Sequence, residues 1–265
     1  MNHYQNILVL AAMKEEEQSI LKLLQENHLK PHRFGKRFHV DANLYRIKDQ
    51  ELVVVQSGMG GVNAALTILT IAEEHPIDAV ILLGVGGSIV PGLNIGDLVL
   101  SSAVVQHDYY SSLDAGHFRM KPGEVVFSAA ESEGHDITFP ADHKLIELLK
   151  PTTDQHKIHV GVVMSGGEFV GTFERKKAIQ QLHPDALMVE MEAAGVAQIC
   201  TRLNIPFVVM KTVADRLSPD GNIETDFMTF LNAAADNAAT ILHSVLMKKP
   251  LNTLGGQQAH AFECV

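Results

Sequence analysis

Apolar runs with no polar alternation constrain this chain most. Ile7-Leu-Val-Leu-Ala-Ala12, Ala79-Val-Ile-Leu-Leu83 and Pro206-Phe-Val-Val-Met210 are hydrophobic at every position. A strand can be apolar on both sides only if both sides are covered, as in a mostly parallel sheet with helices on each face. Segments of helical spacing separate these runs. In 15–27, Ile20, Leu21, Leu23 and Leu24 share one face, and in 223–247 Phe227, Phe230, Leu231, Ala234, Ile241, Leu242 and Val245 do. Further helices are expected at 62–74, 142–149, 172–182 and 193–203. Further strands are expected at about 45–47, 52–56, 98–106, 158–164 and 186–189. The polar, glycine-containing stretch from Asp108 to about Gly123 reads as a long loop. The expected architecture is a three-layer α/β/α sandwich around a central twisted, mostly parallel (mixed) sheet.

The rhythm runs unbroken, with no Pro/Gly/Ser linker and no repeat. One catalytic domain over 1–250 is therefore expected, followed by a mobile tail over 251–265 that carries Gly-Gly-Gln-Gln. The formal net charge of −10 and the lack of a basic stripe argue against nucleic acid as a partner. Cys200 and Cys264 are too few for a disulfide framework and suit a reducing compartment. The N-terminal apolar run is too short for a signal peptide and meets Glu15, Glu16 and Glu17 at once. No stretch is long and apolar enough to span a bilayer. The expectation is a cytoplasmic protein with no membrane partner.

Open α/β sheets bind ligands at the carboxyl ends of their strands, so those ends are where chemistry is sought. The first strand runs into Met13-Lys-Glu-Glu-Glu17, which reads equally as a solvated helix cap. Gly58-Met-Gly-Gly61 and Gly84-Val-Gly-Gly-Ser88 read either as tight strand–helix turns or as a ligand cradle. Asn63 and Ile89 stand where a third glycine would complete G-x-G-x-x-G, so dinucleotide binding is poorly supported. Glu190 and Glu192 end a strand and open an Ala-rich helix. Such a carboxylate could hold the vicinal hydroxyls of a ribose or simply cap the helix. Asp215 ends the last apolar strand, suited to general acid chemistry or to a plain pairing with Arg216. His156 and His159 have no third ligand nearby and read as surface histidines. G-x-S-x-G is absent.

In order along the chain, Ala12-Met-Lys-Glu-Glu-Glu, Ser57-Gly-Met-Gly, Gly84-Val-Gly-Gly, Gly96-Asp97, His107-Asp108, Ser165-Gly-Gly-Glu-Phe169, Val189-Glu-Met-Glu-Ala and Thr212-Val-Ala-Asp215 resemble the nucleoside phosphorylase/nucleosidase superfamily. The branch most resembled is 5′-methylthioadenosine/S-adenosylhomocysteine nucleosidase, over about Ile7 to Val245. The resemblance implies hydrolysis of the N-glycosidic bond of a purine nucleoside, with no cofactor and no metal. It implies Glu16 as the base that activates water and Asp215 as the acid at purine N7. Glu192, with Met191, would hold the ribose, and Phe169 would stack on the base. Val170 would read the base edge, and Met59 and Phe227 would line the ribose and its 5′-group. It also implies a homodimer in which one subunit closes its neighbour's site. Val85, Lys211 and Ala214 stand where the family usually has Ser, Arg and Ser. Two alternatives stay open: a purine nucleoside phosphorylase, for which Lys14 would be a thin phosphate site, and a non-catalytic nucleoside-binding protein on the same fold.

Overall fold

A computed structural model describes residues 4–34, 37–133, 137–150, 157–218 and 223–248. The expected mobile tail lies outside the described residues. The strands are β1 (Asn6–Ala11), β2 (His32–Phe34), β3 (Ala42–Ile47), β4 (Gln50–Gln56), β5 (Ala79–Ser88), β6 (Leu98–Gln106), β7 (Tyr110–Leu113), β8 (Gly116–Arg119), β9 (Thr138–Pro140), β10 (Ile158–Ser165), β11 (Ala186–Glu190) and β12 (Phe207–Asp215). The helices are α1 (Lys14–Glu26), α2 (Gly61–Glu74), α3 (Ala129–Glu133), α4 (His143–Leu149), α5 (Phe173–Gln180), α6 (Ala193–Leu203) and α7 (Ile223–Lys248).

The main sheet has the order β11-β10-β6-β12-β5-β1-β4-β3-β2, with β9 beside β6. Pairing is parallel for β4–β1–β5–β12 and for β6–β10–β11. It is antiparallel where β12 meets β6 and along β4–β3–β2, so the sheet is mixed. Alternate residues of each apolar run face opposite layers. Val9, Ile81 and Val208 pack with Ile20, Leu24, Leu145, Ile241 and Leu242 of α1, α4 and α7. Leu8, Leu10, Val80, Leu82 and Val209 pack with Ile68, Ile71, Val196 and Cys200 of α2 and α6. This double burial is why the runs lack alternation. α2 and α6 meet at glycines: a Cβ on Gly195 would lie 1.9 Å from the Gly61 carbonyl oxygen. No described helix is long and apolar enough to cross a membrane.

Two expectations are corrected. Gly84–Ser88 is not a turn; it is the second half of β5, whose ten residues are all buried. There β5 keeps its parallel pairing to β12 and adds an antiparallel pairing to β11, Met188 opposite Ser88 and Val189 opposite Gly87. Glycine admits the neighbour, since a Cβ on Gly86 would lie 2.6 Å from Met188 Sδ. The sheet thereby closes on itself through β5-β12-β6-β10-β11. Secondly, the expected loop at 108–123 contains a hairpin, β7 against β8. Its strands are four residues each and polar, so they lack the apolar signature of a strand.

Candidate active site

A cleft opens at the carboxyl ends of β1, β5, β11 and β12. All eight residues singled out above line it: Glu16, Met59, Phe169, Val170, Met191, Glu192, Asp215 and Phe227.

Glu16 comes from the first turn of α1 but folds back under the end of β1. Oε2 accepts from the backbone N–H groups of Ala12 (2.8 Å) and Met13 (2.9 Å), and Oε1 accepts from Val85 (2.9 Å). It therefore caps α1, yet is only 1% exposed, so the solvated reading does not hold. Burial pushes its carboxyl above the ordinary carboxylate range; Lys211 and the Met13 and Val85 amides pull the other way, and Glu192 adds to the rise. Gly84 makes the approach possible, because a Cβ there would lie 2.2 Å from Glu16 Oε1.

Lys211, in the middle of β12, is fully buried between two carboxylates, at 2.9 Å from Glu190 Oε2 and 2.8 Å from Glu192 Oε2. Burial works against its charge, but Glu190, Glu192 and Glu16 outweigh this and hold it firmly as an ammonium. The two glutamates differ. Glu190 accepts from the backbone N–H groups of Glu192 and Ala193, opening α6, and burial pushes its carboxyl up despite Lys211. For Glu192, burial is outweighed by the charge and hydrogen bond of Lys211 and by the Gly60 amide at 2.9 Å, so its carboxyl sits below the usual range. Glu192 is thus the ionised acceptor at the cleft, and Glu190 anchors the helix and the lysine.

Asp215, at the end of β12, forms an ion pair with Lys176 of α5. Arg216 is exposed. No local sequence pattern marks Lys176, because α5 shows no apolar stripe. The available signal is its spacing from Ile179, the other buried residue of that helix. A Cβ on Gly87 would lie 2.9 Å from both Asp215 oxygens and 3.0 Å from Lys176 Nζ, so this contact also needs a glycine in β5.

The opposite wall is apolar. Phe169 and Phe227 meet edge to face, with centroids 5.2 Å apart. Phe169 is 52% exposed and Met59 60%, so the mouth presents bare hydrophobic surface. Beneath the turn that carries Phe169 lies His107. It is fully buried, with no hydrogen-bond partner to either ring nitrogen among the described residues, and burial pushes its pKa down. His159 pairs with Asp97, and His156 lies outside the described residues.

Residues 6–247 match the model of the phosphorylase superfamily. A Staphylococcus aureus protein named 5′-methylthioadenosine/S-adenosylhomocysteine nucleosidase is 32% identical over 240 residues, covering 90% of this chain and 97% of that protein. The crystal structure of the Helicobacter pylori nucleosidase of the same name, complexed with a pyrrolo[3,2-d]pyrimidine-bearing pyrrolidine, is similar with a TM-score of 0.79. Identity is 26%, covering 92% of this chain and 98% of that one. Helicobacter pylori futalosine hydrolase is similar with a TM-score of 0.77 at 26% identity, over 92% and 97% of the two chains.

Proposed function

This chain belongs to the phosphorylase superfamily, and within it we propose a purine nucleosidase that hydrolyses 5′-methylthioadenosine- and S-adenosylhomocysteine-like nucleosides to free base and 5′-modified ribose. One observation carries the choice of water over phosphate. Among the described residues Lys211 is the only cation that lines the cleft, and it is committed to Glu190 and Glu192; Lys176, behind Asp215, is committed to that carboxylate, and Lys14 is exposed outside the cleft. A phosphate dianion would have to sit beside Glu16, Glu190 and Glu192. Water meets no such repulsion.

The chemistry divides among three carboxyl groups. As C1′–N9 lengthens, positive charge builds on the ribosyl group and negative charge on the purine. Glu192 accepts the ribose 2′- and 3′-hydroxyls and faces the growing cation. Glu16, held by three amides, takes a proton from water as the water oxygen bonds to C1′. Its burial-raised pKa makes it a better base than an ordinary carboxylate. Asp215 gives its proton to N7, so the base departs neutral. Phe169 offers a face to the purine, Val170 its backbone and Met191 a wall to the ribose, while Met59 and Phe227 bound the 5′-group.

The working unit in this reading is a homodimer in the cytoplasm. α2 turns Val62, 84% exposed, and Leu66 and Leu69 to the outside, next to the bare apolar mouth. A second copy seated there would cover both surfaces.

The test is base release from 5′-methylthioadenosine, S-adenosylhomocysteine, adenosine, inosine and futalosine, with and without phosphate. Free base and free sugar without phosphate are expected. Release only with phosphate, with ribose 1-phosphate as co-product, would make the protein a phosphorylase. Binding without turnover would make it a receptor.

A further inference from the structure

Lys176 has no part in the hydrolysis as described. α5 otherwise faces water, and only Lys176 and Ile179 are buried. A leucine or methionine at 176 would seal that face without the desolvation an ammonium suffers, so stability does not account for a buried charge pair there. Its Nζ donates to Asp215 Oδ1. Asp215 lines the cleft and Lys176 does not, which puts the ammonium behind the carboxylate as seen from the base. Gly87 leaves room for both groups.

We propose that Lys176 is a positioning residue for base departure, holding Asp215 toward N7 and stabilising the carboxylate that Asp215 becomes on giving up its proton. The inference rests on the reading of Asp215 as the acid. In the step, Asp215 first takes up a proton from solvent against its pairing with Lys176; then C1′–N9 breaks and its electron pair passes into the purine, the Asp215 O–H bond breaks and N7–H forms. Lys176 keeps its proton and its bonds throughout. Once Asp215 carries the proton, a fixed ammonium favours the state after the transfer over the state before it, and that difference lowers the barrier to the transfer itself.

Two isosteric ligands read this directly. 9-Deazaadenosine carries an N7–H that needs an ionised Asp215 as acceptor, whereas 7-deazaadenosine has carbon at that position and makes no such bond. Lys176→Met is expected to weaken 9-deazaadenosine roughly thirtyfold and to leave 7-deazaadenosine within about threefold. On 5′-methylthioadenosine, kcat should fall roughly a hundredfold with KM little changed, and Lys176→Arg should restore most of it. Lys176→Gln serves if the Met variant does not fold. Equal weakening of both ligands, an unchanged kcat, or Arg no better than Met would overturn the proposal and leave a merely structural pair. Wild-type protein that releases no base would instead remove the reading of Asp215, a separate failure.

Discussion

Glu16 and Asp215 are each a single proton away from uselessness in the proposed chemistry. Glu16→Gln keeps two oxygen- or nitrogen-bearing arms but can no longer take a proton from water. Asp215→Asn keeps shape but has no acidic proton. Each is expected to cut kcat roughly a hundredfold or more, measured as adenine release, with folding checked by near-ultraviolet dichroism. Near-normal turnover in both would sink the mechanism. His107 makes a different claim, about stability. Its folded pKa is held below the ordinary histidine value by burial, so the unfolded chain takes up the proton first as pH falls. Its contribution is complete above the unfolded pKa of about 6.5 and drains away between that value and the lower folded one. Melting temperatures at pH 7.5 and 5.5 should therefore drop more for the wild type than for His107→Leu; parallel drops would show that another group is responsible.

The elements were largely legible because double burial and helical spacing leave plain marks. β1, β12, α1 and α6 fall within a residue or two of where the apolar pattern put them. Gly84–Ser88 was not legible as strand, since glycine runs read as turns unless the second partner, β11, is known. Lys176 was hidden for a related reason: its partner Asp215 is 39 residues away, and no local pattern announces a lysine facing inward. The eight cleft residues could be chosen together only because the ordered motifs resemble one family, as each strand end alone has an ordinary cap or turn reading. The α2–α6 contact gives a test at this scale. Gly195→Ala would drive a Cβ into the Gly61 carbonyl, costing about 2–3 kcal/mol by urea unfolding. Gly60, whose amide holds Glu192, adjoins that contact, so KM should rise as well. An unchanged unfolding midpoint would mean the helices can separate freely.

At the scale of the whole molecule, the apolar strip of α2 and the cleft mouth are exposed hydrophobic surface, as are Phe38, Val125, Phe127 and Met228 elsewhere. Light scattering is expected to give twice the mass of one chain. Leu66→Glu should shift the protein toward monomer and raise KM, because Met59 and Phe169 would lose their cover. A wild-type monomer with full activity would overturn the dimer.

The closure of the sheet through β5 and β11 separates inheritance from adaptation. Glu190, Lys211, Asp215 and the backbone of Val85 to Gly87 are mounted on a hydrogen-bonded ring, in which moving one strand disturbs both its neighbours. Met59, Phe169 and Phe227 stand on a turn, a loop and a helix outside that ring. In the proposed reading, drift in the second set would retune which base and 5′-group are accepted while the bond-breaking frame stays intact. Relatives named for different nucleosides can share one chassis on those terms.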